Sequence, residues 1–459
     1  MNLLRHLPRF QRAYRDMDLL AARERWSRSN IEGLQLERVN TVWRHAVAHV
    51  PYYRELRAAR RLPARFSNLD EFRSCVPTLS KRTVAADPRR FLSERAAPGQ
   101  WRATSGSTGE PLRAYWDTQS HCETLRAKYR FYRMWNIDIF DPMVYLWGRG
   151  QVYLPGVRGR AQRVRQDIED HLRNRLRLSA YSVGDADLRA YLVEIARFRP
   201  RSLYGYSTAI ELLARCAVSE RFQCDSIRLT TLTAETATSE MVRVIEAAFR
   251  TPAVMEYGSC ECGVFAHEWP DRKVHVREDI VMVETPARTD GLCDILVSVL
   301  TNSSFPLLRY EIGDTTDHAL EVPSYGFAAL QSVVGRSNDF VLTRRGRRIH
   351  YTRFKHLLDN SAGVRRFQVK QHADGFVSLH LEMCGGWDRS AFKRMQSTVE
   401  GWLDGFGVDV IPTRSLPLPQ GKHRWLVSTY TGSDRNSLTD AATHSADLTT
   451  RAGAETGGI

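Results

Sequence analysis

The chain has 459 residues, 42% hydrophobic and 26% charged, which is ordinary for a soluble globular protein and enough for a sizeable core. Its formal net charge of +14 raises the question of an anionic partner. The arginines are spread, with clusters near 160–177, 344–348 and 365–366, and no recognised nucleic-acid module accompanies them, so specific nucleic-acid binding is not expected.

Residues 1–60 read as mostly helical, because Leu19-Leu20, Trp26, Leu34, Leu36, Val39, Val42-Trp43 and Val47 recur at near-helical spacing. Pro51-Tyr52-Tyr53-Arg54 is expected to break that pattern. Ser67 is placed to cap a short helix, with acidic residues in its first turn. Residues 76–81, ending Leu79-Ser80-Lys81, read as structural. The string Thr104-Ser105-Gly106-Ser107-Thr108-Gly109-Glu110-Pro111 follows. Its glycines let backbone N–H groups approach a ligand, and its hydroxyls add donors. Such a loop suits a phosphate chain, since aimed N–H groups form an anion-binding nest. It is not the GxxxxGK[ST] loop, as no lysine follows the second glycine; a solvated Ser/Gly turn is the bland alternative.

Beyond it, residues 114–116 alternate as a strand and 118–135 read as a helix. Residues 144–147 are a short apolar run ending at Gly148, which suits a buried parallel strand. A helix at 186–198, a strand at 203–206 and a helix at 208–216 continue the alternation. The strand 229–232 leads to Thr233-Ala234-Glu235-Thr236, then comes a helix at 239–249. A strand at 253–256 runs into Tyr257-Gly258-Ser259-Cys260-Glu261. This alternation indicates a layered α/β domain. Strands at 280–284 and 293–300 flank the turn Thr289-Asp290-Gly291 and precede Arg309-Tyr310-Glu311-Ile312-Gly313-Asp314.

A boundary is expected at Gly335-Arg336-Ser337-Asn338-Asp339. The domains are then 1–334, a cap at 335–432, and a Ser/Thr/Asp/Gly-rich tail at 433–459 expected to be disordered. The cap reads as strands at 340–343 and 348–351, a helix at 352–360, and a hairpin of 364–371 with 377–383 across Asp374-Gly375. A helix at 389–403 and a strand at 408–411 complete it. That order predicts a small α+β unit of ferredoxin-like type. Gly421-Lys422-His423-Arg424 closes it.

The eight cysteines show no paired CxxC framework, so reduced thiols are expected. Cys260, Cys262 and His267 are metal-ligating types, but no fourth ligand stands at a regular spacing. No apolar run is long enough to span a bilayer and no signal-peptide pattern is present, so the cytoplasm is the expected location.

Taken together and in this order, these motifs resemble those of the adenylate-forming enzymes, the acyl-CoA synthetase and luciferase superfamily, and within it the phenylacetate–CoA ligase and CapK-like branch. The resemblance covers nearly all of the chain short of the tail. It implies a large N-terminal domain of layered sheets and helices and a small mobile C-terminal cap. It implies ATP and Mg²⁺ as cofactors and CoA as co-substrate. Thr104, Ser105, Gly106, Ser107, Thr108 and Gly109 would hold the β- and γ-phosphates. Ala234, Glu235 and Thr236 would pack along adenine, with Tyr257, Gly258 and Ser259 beside them. Glu261 would bind Mg²⁺, a hard cation that wants oxygen ligands. Asp314 would grip the ribose hydroxyls, and Arg336 would reach ribose or phosphate. Tyr204, Gly205, Tyr206 and Ser207 would border the acyl pocket, for which core aromatics are the alternative. Asn338 matches the hinge, and Lys422 the lysine of the first half-reaction. Four departures stand out: Cys260 replaces a threonine, Glu110 a lysine, Trp269 a cysteine that some relatives give to zinc, and Asn338 an aspartate or lysine.

The implied chemistry is activation of a carboxylic acid, first guessed as aryl or arylacetic, to an acyl-adenylate. A thiol or amine then takes the acyl group. The partners are therefore small molecules, and a homodimer is compatible with the resemblance. The competing readings are an amide-forming ligase of secondary metabolism or polysaccharide assembly, and a non-catalytic protein on the same fold.

Overall fold

The computed structural model describes residues 11, 14, 16–103, 112–147, 157–180, 183, 185–235, 237–289, 291–333, 335–336, 340–345, 348–359, 363–383, 389–416 and 425–430. They fall into two compact units, one reaching residue 336 and the other beginning at residue 340.

The first unit opens with helices α1 (Met17–Ala22), α2 (Arg28–His49), α3 (Pro51–Arg60), α4 (Leu69–Cys75) and α5 (Lys81–Ala86). Pro51 does not end helical structure, as the sequence suggested. It starts α3 at the first helical position, where its fixed φ suits the turn and its missing N–H costs nothing. The break is the extended Val50 between α2 and α3. The cap of α4 is Asn68 and not Ser67: the Asn68 side chain accepts from Glu71 N at 2.8 Å. Ser67 donates instead to the Glu71 carboxylate, closing a reciprocal box one residue earlier. Trp43, Tyr53, Phe66 and Phe72 of this helical layer share a core with Val281, Val297 and Tyr310. Arg28 clamps Glu278 through two 2.9 Å bonds, tying α2 to the body of the unit.

The strand–helix succession then runs β1 (Gly99–Ala103), β2 (Arg113–Asp117), α6 (Thr118–Met134), β3 (Met143–Trp147), α7 (Val157–Leu172), β4 (Arg175–Ser179), α8 (Asp185–Phe198) and β5 (Ser202–Tyr206). It continues with α9 (Ser207–Ser219), β6 (Leu229–Thr233), α10 (Ser239–Phe249), β7 (Ala253–Ser259), β8 (Gly263–Glu268) and β9 (Val274–Val276). The last strands of the unit are β10 (Val281–Glu284), β11 (Cys293–Val299), β12 (Tyr310–Thr316), β13 (Ala329–Leu330) and β14 (Gly335–Arg336).

Eight strands form the central sheet in the order β13-β9-β8-β7-β6-β5-β3-β4. The five from β4 to β7 are parallel. Val144, Leu146, Leu203, Leu229 and Val254 of these strands are fully buried, although β4 carries two arginines and β6 three threonines among their leucines. The chain passes from β3 to β4 on one side and then places β5, β6 and β7 on the other, so the direction reverses at β3. Ligands of open α/β sheets bind at the carboxyl ends of strands beside such a reversal. A second, antiparallel sheet has the order β10-β11-β12-β14, and β1 and β2 form a separate hairpin.

The second unit contains β15 (Phe340–Leu342), β16 (Arg348–His350), α11 (Tyr351–Asp359), β17 (Val364–Gln371), β18 (Val377–Met383), α12 (Arg389–Trp402), β19 (Val408–Thr413) and β20 (Leu426–Ser428). Its sheet has the order β19-β18-β17-β20. The β17–β18 hairpin falls where the sequence placed it. A ferredoxin-like sheet would be antiparallel throughout. Here β18–β19 and β17–β20 are parallel, so the unit is α+β with a different strand arrangement. The physical cause is α12, which returns the chain to the starting edge of β18, so β19 can only pair with it in the same direction.

Candidate active site

The carboxyl ends of β3, β5, β6 and β7 carry, in sheet order, Trp147, Tyr206-Ser207, Thr233-Ala234-Glu235 and Tyr257-Gly258-Ser259. Three of the strings singled out from the sequence therefore meet on one rim. Gly205 is required there: a Cβ would lie 2.5 Å from the Leu146 carbonyl oxygen of the neighbouring strand. Beside it the Trp147 and Tyr206 rings lie 4.4 Å apart. Ala234 holds a left-handed backbone at φ 67°, an unusual conformation for a residue with a Cβ. The Glu235 carboxylate accepts from Thr208 N at 2.9 Å, and Ser207 Oγ donates to the Glu235 carbonyl at 3.1 Å. Glu235 thus places its charge at the N-terminus of α9, where the helix dipole favours an anion.

The second sheet meets the same rim. Tyr257 Oη donates to Asp314 Oδ2 at 2.8 Å across 57 residues of sequence. On β14, Arg336 is the register partner of Asp314. Three motifs that are far apart in the chain are therefore neighbours. The Tyr257 ring is buried edge-on against Phe265 at 5.2 Å.

The turn after β7 is tight. Gly258 has no room for a Cβ, which would come within 2.2 Å of the Gly263 carbonyl oxygen. Ser259 Oγ accepts from Cys262 N at 3.0 Å, and Trp116 Nε1 donates to the Cys260 carbonyl at 3.0 Å. Trp116 belongs to β2, and β1 and β2 pair Ala103 with Arg113. The described residues Ala103 and Arg113 are thereby paired, and their hairpin touches the Cys260 turn through Trp116. The Arg102 guanidinium, 5.2 Å over the Trp116 ring, adds positive charge there.

Glu261 is 4% exposed at its side chain, and Lys81 Nζ stands 3.1 Å from its Oε1. Tyr310 Oη donates to the same oxygen at 3.3 Å. Burial, with the Glu261 charge beside it, pushes the Tyr310 hydroxyl far above its ordinary pKa, so it remains a donor. Both protein partners use Oε1. Among the described residues Oε2 has no hydrogen-bond partner, which leaves a hard carboxylate oxygen for a cation. Cys262 is buried, and burial raises its thiol pKa. His267 turns to Glu256, 3.6 Å away, and not toward the cysteines. Among the described residues no group of three His, Cys, Asp or Glu side chains is arranged to hold a metal ion.

Beneath the rim lies a buried polar cluster that the sequence reading missed. Tyr204 Oη donates to Glu256 Oε1 at 2.6 Å, and Lys128 Nζ lies 3.2 Å from Oε2. Burial alone would raise the Glu256 pKa; the Lys128 ammonium, with His267 and Tyr204, outweighs it and holds the carboxyl at about 2. Burial lowers His267 to about 4, so its imidazole is neutral near pH 7. The available signal was one glutamate in the otherwise apolar stretch Ala253–Glu256. Lys81 had no such signal, since nothing in the sequence links it to Glu261 180 residues on. The expected loop residues Thr104, Ser105, Gly106, Ser107, Thr108 and Gly109, with Thr236, Asn338 and Lys422, lie outside the described residues.

No family model matches the chain. Protein CapK of Staphylococcus aureus is 24% identical over 275 residues, which is 59% of this chain and 60% of CapK, so the match spans less than two thirds of that relative's length. Among solved structures, a 2-hydroxyisobutyryl-CoA ligase in the postadenylation state with 2-HIB-AMP is similar with a TM-score of 0.69 and 15% identity, covering 93% of this chain and 94% of that one. An anthranilate CoA ligase in complex with anthranoyl-AMP is similar with a TM-score of 0.50 and 14% identity, covering 76% and 68%. No helix among the described residues is long and apolar enough to cross a membrane.

Proposed function

We propose, for a chain that has the fold of the adenylate-forming ligases, that it activates a carboxylic acid with ATP and passes the acyl group to an acceptor. The acid oxygen attacks the α-phosphorus, the bond to the β-phosphate bridging oxygen breaks, and pyrophosphate leaves. An acceptor thiol then attacks the acyl carbon and AMP leaves. The observation that carries this reading is the Tyr257–Asp314 hydrogen bond, with Arg336 in register beside it. It brings an ionised carboxylate to the rim of the parallel strands, where it can accept from both ribose hydroxyls.

In this reading Tyr257 orients Asp314, and residues 104–109 hold the β- and γ-phosphates. Lys422, carried by a mobile cap pivoting at Asn338, bridges the attacking carboxylate and the α-phosphate. Backbone at 234–236 lies along adenine, and the Glu235 carboxylate keeps that backbone on α9. Glu261 Oε2 is an oxygen donor that fits Mg²⁺, which would supply charge neutralisation at the leaving phosphates. Lys81 holds the carboxylate in place from the other oxygen. Tyr204 to Ser207 form a wall of the acid's pocket, with aryl and arylacetic acids as the first class to try. CoA is the proposed acceptor, and an amine is the second candidate.

Pyrophosphate release measured against a panel of carboxylic acids tests the first step. Acid-dependent release is expected. ATP binding without release for any acid in a broad panel would mean a fold put to a non-catalytic use. Product analysis with CoA and with amines then decides the acceptor.

A further inference from the structure

A helix on the surface of a layered domain normally lays its apolar stripe on the core. Helix α7 does the reverse. Its Val164, Ile168 and Leu172 are 58%, 54% and 47% exposed, whereas Asp170 is only 6% exposed. At 3.6 residues per turn the three apolar side chains fall within about 80° of one another, and Asp170 lies about 160° from the middle of that stripe. Ala161, also exposed, continues the stripe one turn toward the N-terminus. Inward, the Asp170 carboxylate accepts from Arg177 of β4 at 2.8 and 3.0 Å, so an ion pair anchors this turn of the helix to the sheet. Because β4 is an edge strand of the central sheet, the outward stripe stands at the margin of the unit.

We propose that this stripe is one half of a homodimer interface, in which α7 packs antiparallel against α7 of a second copy about a two-fold axis near the middle of the helix. The charges select that partner. Arg160, Arg163 and Arg165 stand in the first half of the helix, and Asp167 and Glu169 in the second. Around the helix, Arg165 and Glu169 border the stripe on one flank, and Arg160 and Asp167 border it on the other. A two-fold that reverses the helix direction brings like flanks together. Arg165 of each copy then approaches Glu169 of the other, and Arg160 approaches Asp167, while Val164 and Ile168 interleave between them. Glu169 already pairs with Arg173 at 2.7 Å, yet 44% of its side chain is accessible, so it has room for a second cation.

The same pattern disfavours other occupants. A parallel pair would set arginine against arginine. An anionic membrane would attract the arginines but repel Asp167 and Glu169 on both flanks, and helices that lie on membranes carry Lys and Arg along their polar face. One helix pair is a small interface, so the dimer should depend on concentration, with a midpoint on the order of 10–100 µM. Neither nucleotide nor acid is needed, so the dimer stands or falls apart from the ligase reading.

Sedimentation velocity of the full chain, from about tenfold below to about tenfold above that midpoint, is the test. The wild type should pass from monomer to dimer. Ile168→Asp puts a charge in the middle of the stripe and should raise the midpoint at least about tenfold. Ile168 is exposed in the single chain, so the melting temperature of that variant in dilute solution should stay within about 2 °C of the wild type. Arg160→Glu with Arg165→Glu in one chain, and Asp167→Arg with Glu169→Arg in another, should each give monomers, and an equimolar mixture of the two should dimerise. A wild type that is monomeric throughout, a dimer that Ile168→Asp leaves intact, or a mixture of the charge variants that stays monomeric overturns the proposal. A monomeric wild type that binds vesicles of anionic lipid, and loses them with Ile168→Asp, also overturns it and gives the stripe to a membrane.

Discussion

Replacing Tyr257 with phenylalanine removes a single oxygen and leaves the ring against Phe265, so no cavity opens. What disappears is the 2.8 Å hydrogen bond to Asp314 Oδ2. A hydrogen bond to a charged group contributes about 1.5–3 kcal/mol. Asp314 is only half-buried, which favours the lower figure, and ~1.5 kcal/mol corresponds to about tenfold in an equilibrium constant. Tyr257 acts through Asp314 and not on the reacting atoms, so the loss should appear as a roughly tenfold rise in KM for ATP with kcat within about threefold. Asp314→Asn should cost more, because the charge itself is gone. The double variant should be no worse than Asp314→Asn alone, since the hydroxyl then has no carboxylate left to orient. Initial rates of pyrophosphate release at varied ATP and saturating acid give all four corners of the cycle. Additive losses, or a Tyr257→Phe enzyme within twofold of wild type, would refute the coupling.

Other expectations follow from the same geometry. Glu261→Gln should lower kcat on the order of 10²–10³-fold and move the Mg²⁺ titration midpoint upward; an unchanged Mg²⁺ dependence would remove Glu261 from the cation site. Acid should destabilise the chain in two overlapping windows. His267 titrates near 6.5 when unfolded and at about 4 when folded, so the unfolded chain takes up the extra proton as pH falls from 6.5 to 4. Glu256, near 4.5 unfolded and about 2 folded, contributes stability that is complete above 4.5 and lost as pH falls toward 2. Urea midpoints should therefore decline from about pH 6.5 downward, and His267→Gln should flatten the upper part of that decline; a flat wild-type profile from pH 7 to 4.5 would contradict the cluster. Gly258→Ala should disrupt the turn, since its Cβ meets backbone that cannot yield, whereas Gly33→Ala on α2 meets nothing within 4 Å and should be neutral or stabilising by up to ~1 kcal/mol. Thermal melts of both variants check the contrast.

Local rules carried much of the fold. The helix at 239–249 and the hairpin of 364–371 with 377–383 fall at the residues where periodicity and turn chemistry put them. Misplaced features were those with two local solutions. Pro51 both ends and begins helices, and Ser67 and Asn68 are both competent caps, so the choice falls to packing. The orientation of β19 and β20 was not legible, because strand periodicity is the same in either direction. In the candidate site, the strings that hold Gly258, Glu261 and Asp314 are each common alone, and only their order along the chain and the resemblance it carries singled them out. The roles of Lys81, Lys128 and Tyr310 could not be read in that way. Each is an ordinary residue in an ordinary element, and its partner is brought up only by the tertiary fold.

The central claim is that the acid is joined to AMP, and acid-dependent exchange of labelled pyrophosphate into ATP reads that reversible step directly. With an accepted acid the wild-type chain should exchange label, and Lys422→Ala should abolish exchange while still converting a supplied acyl-adenylate and CoA to thioester. Exchange that does not depend on the acid, or that survives Lys422→Ala undiminished, would contradict the account.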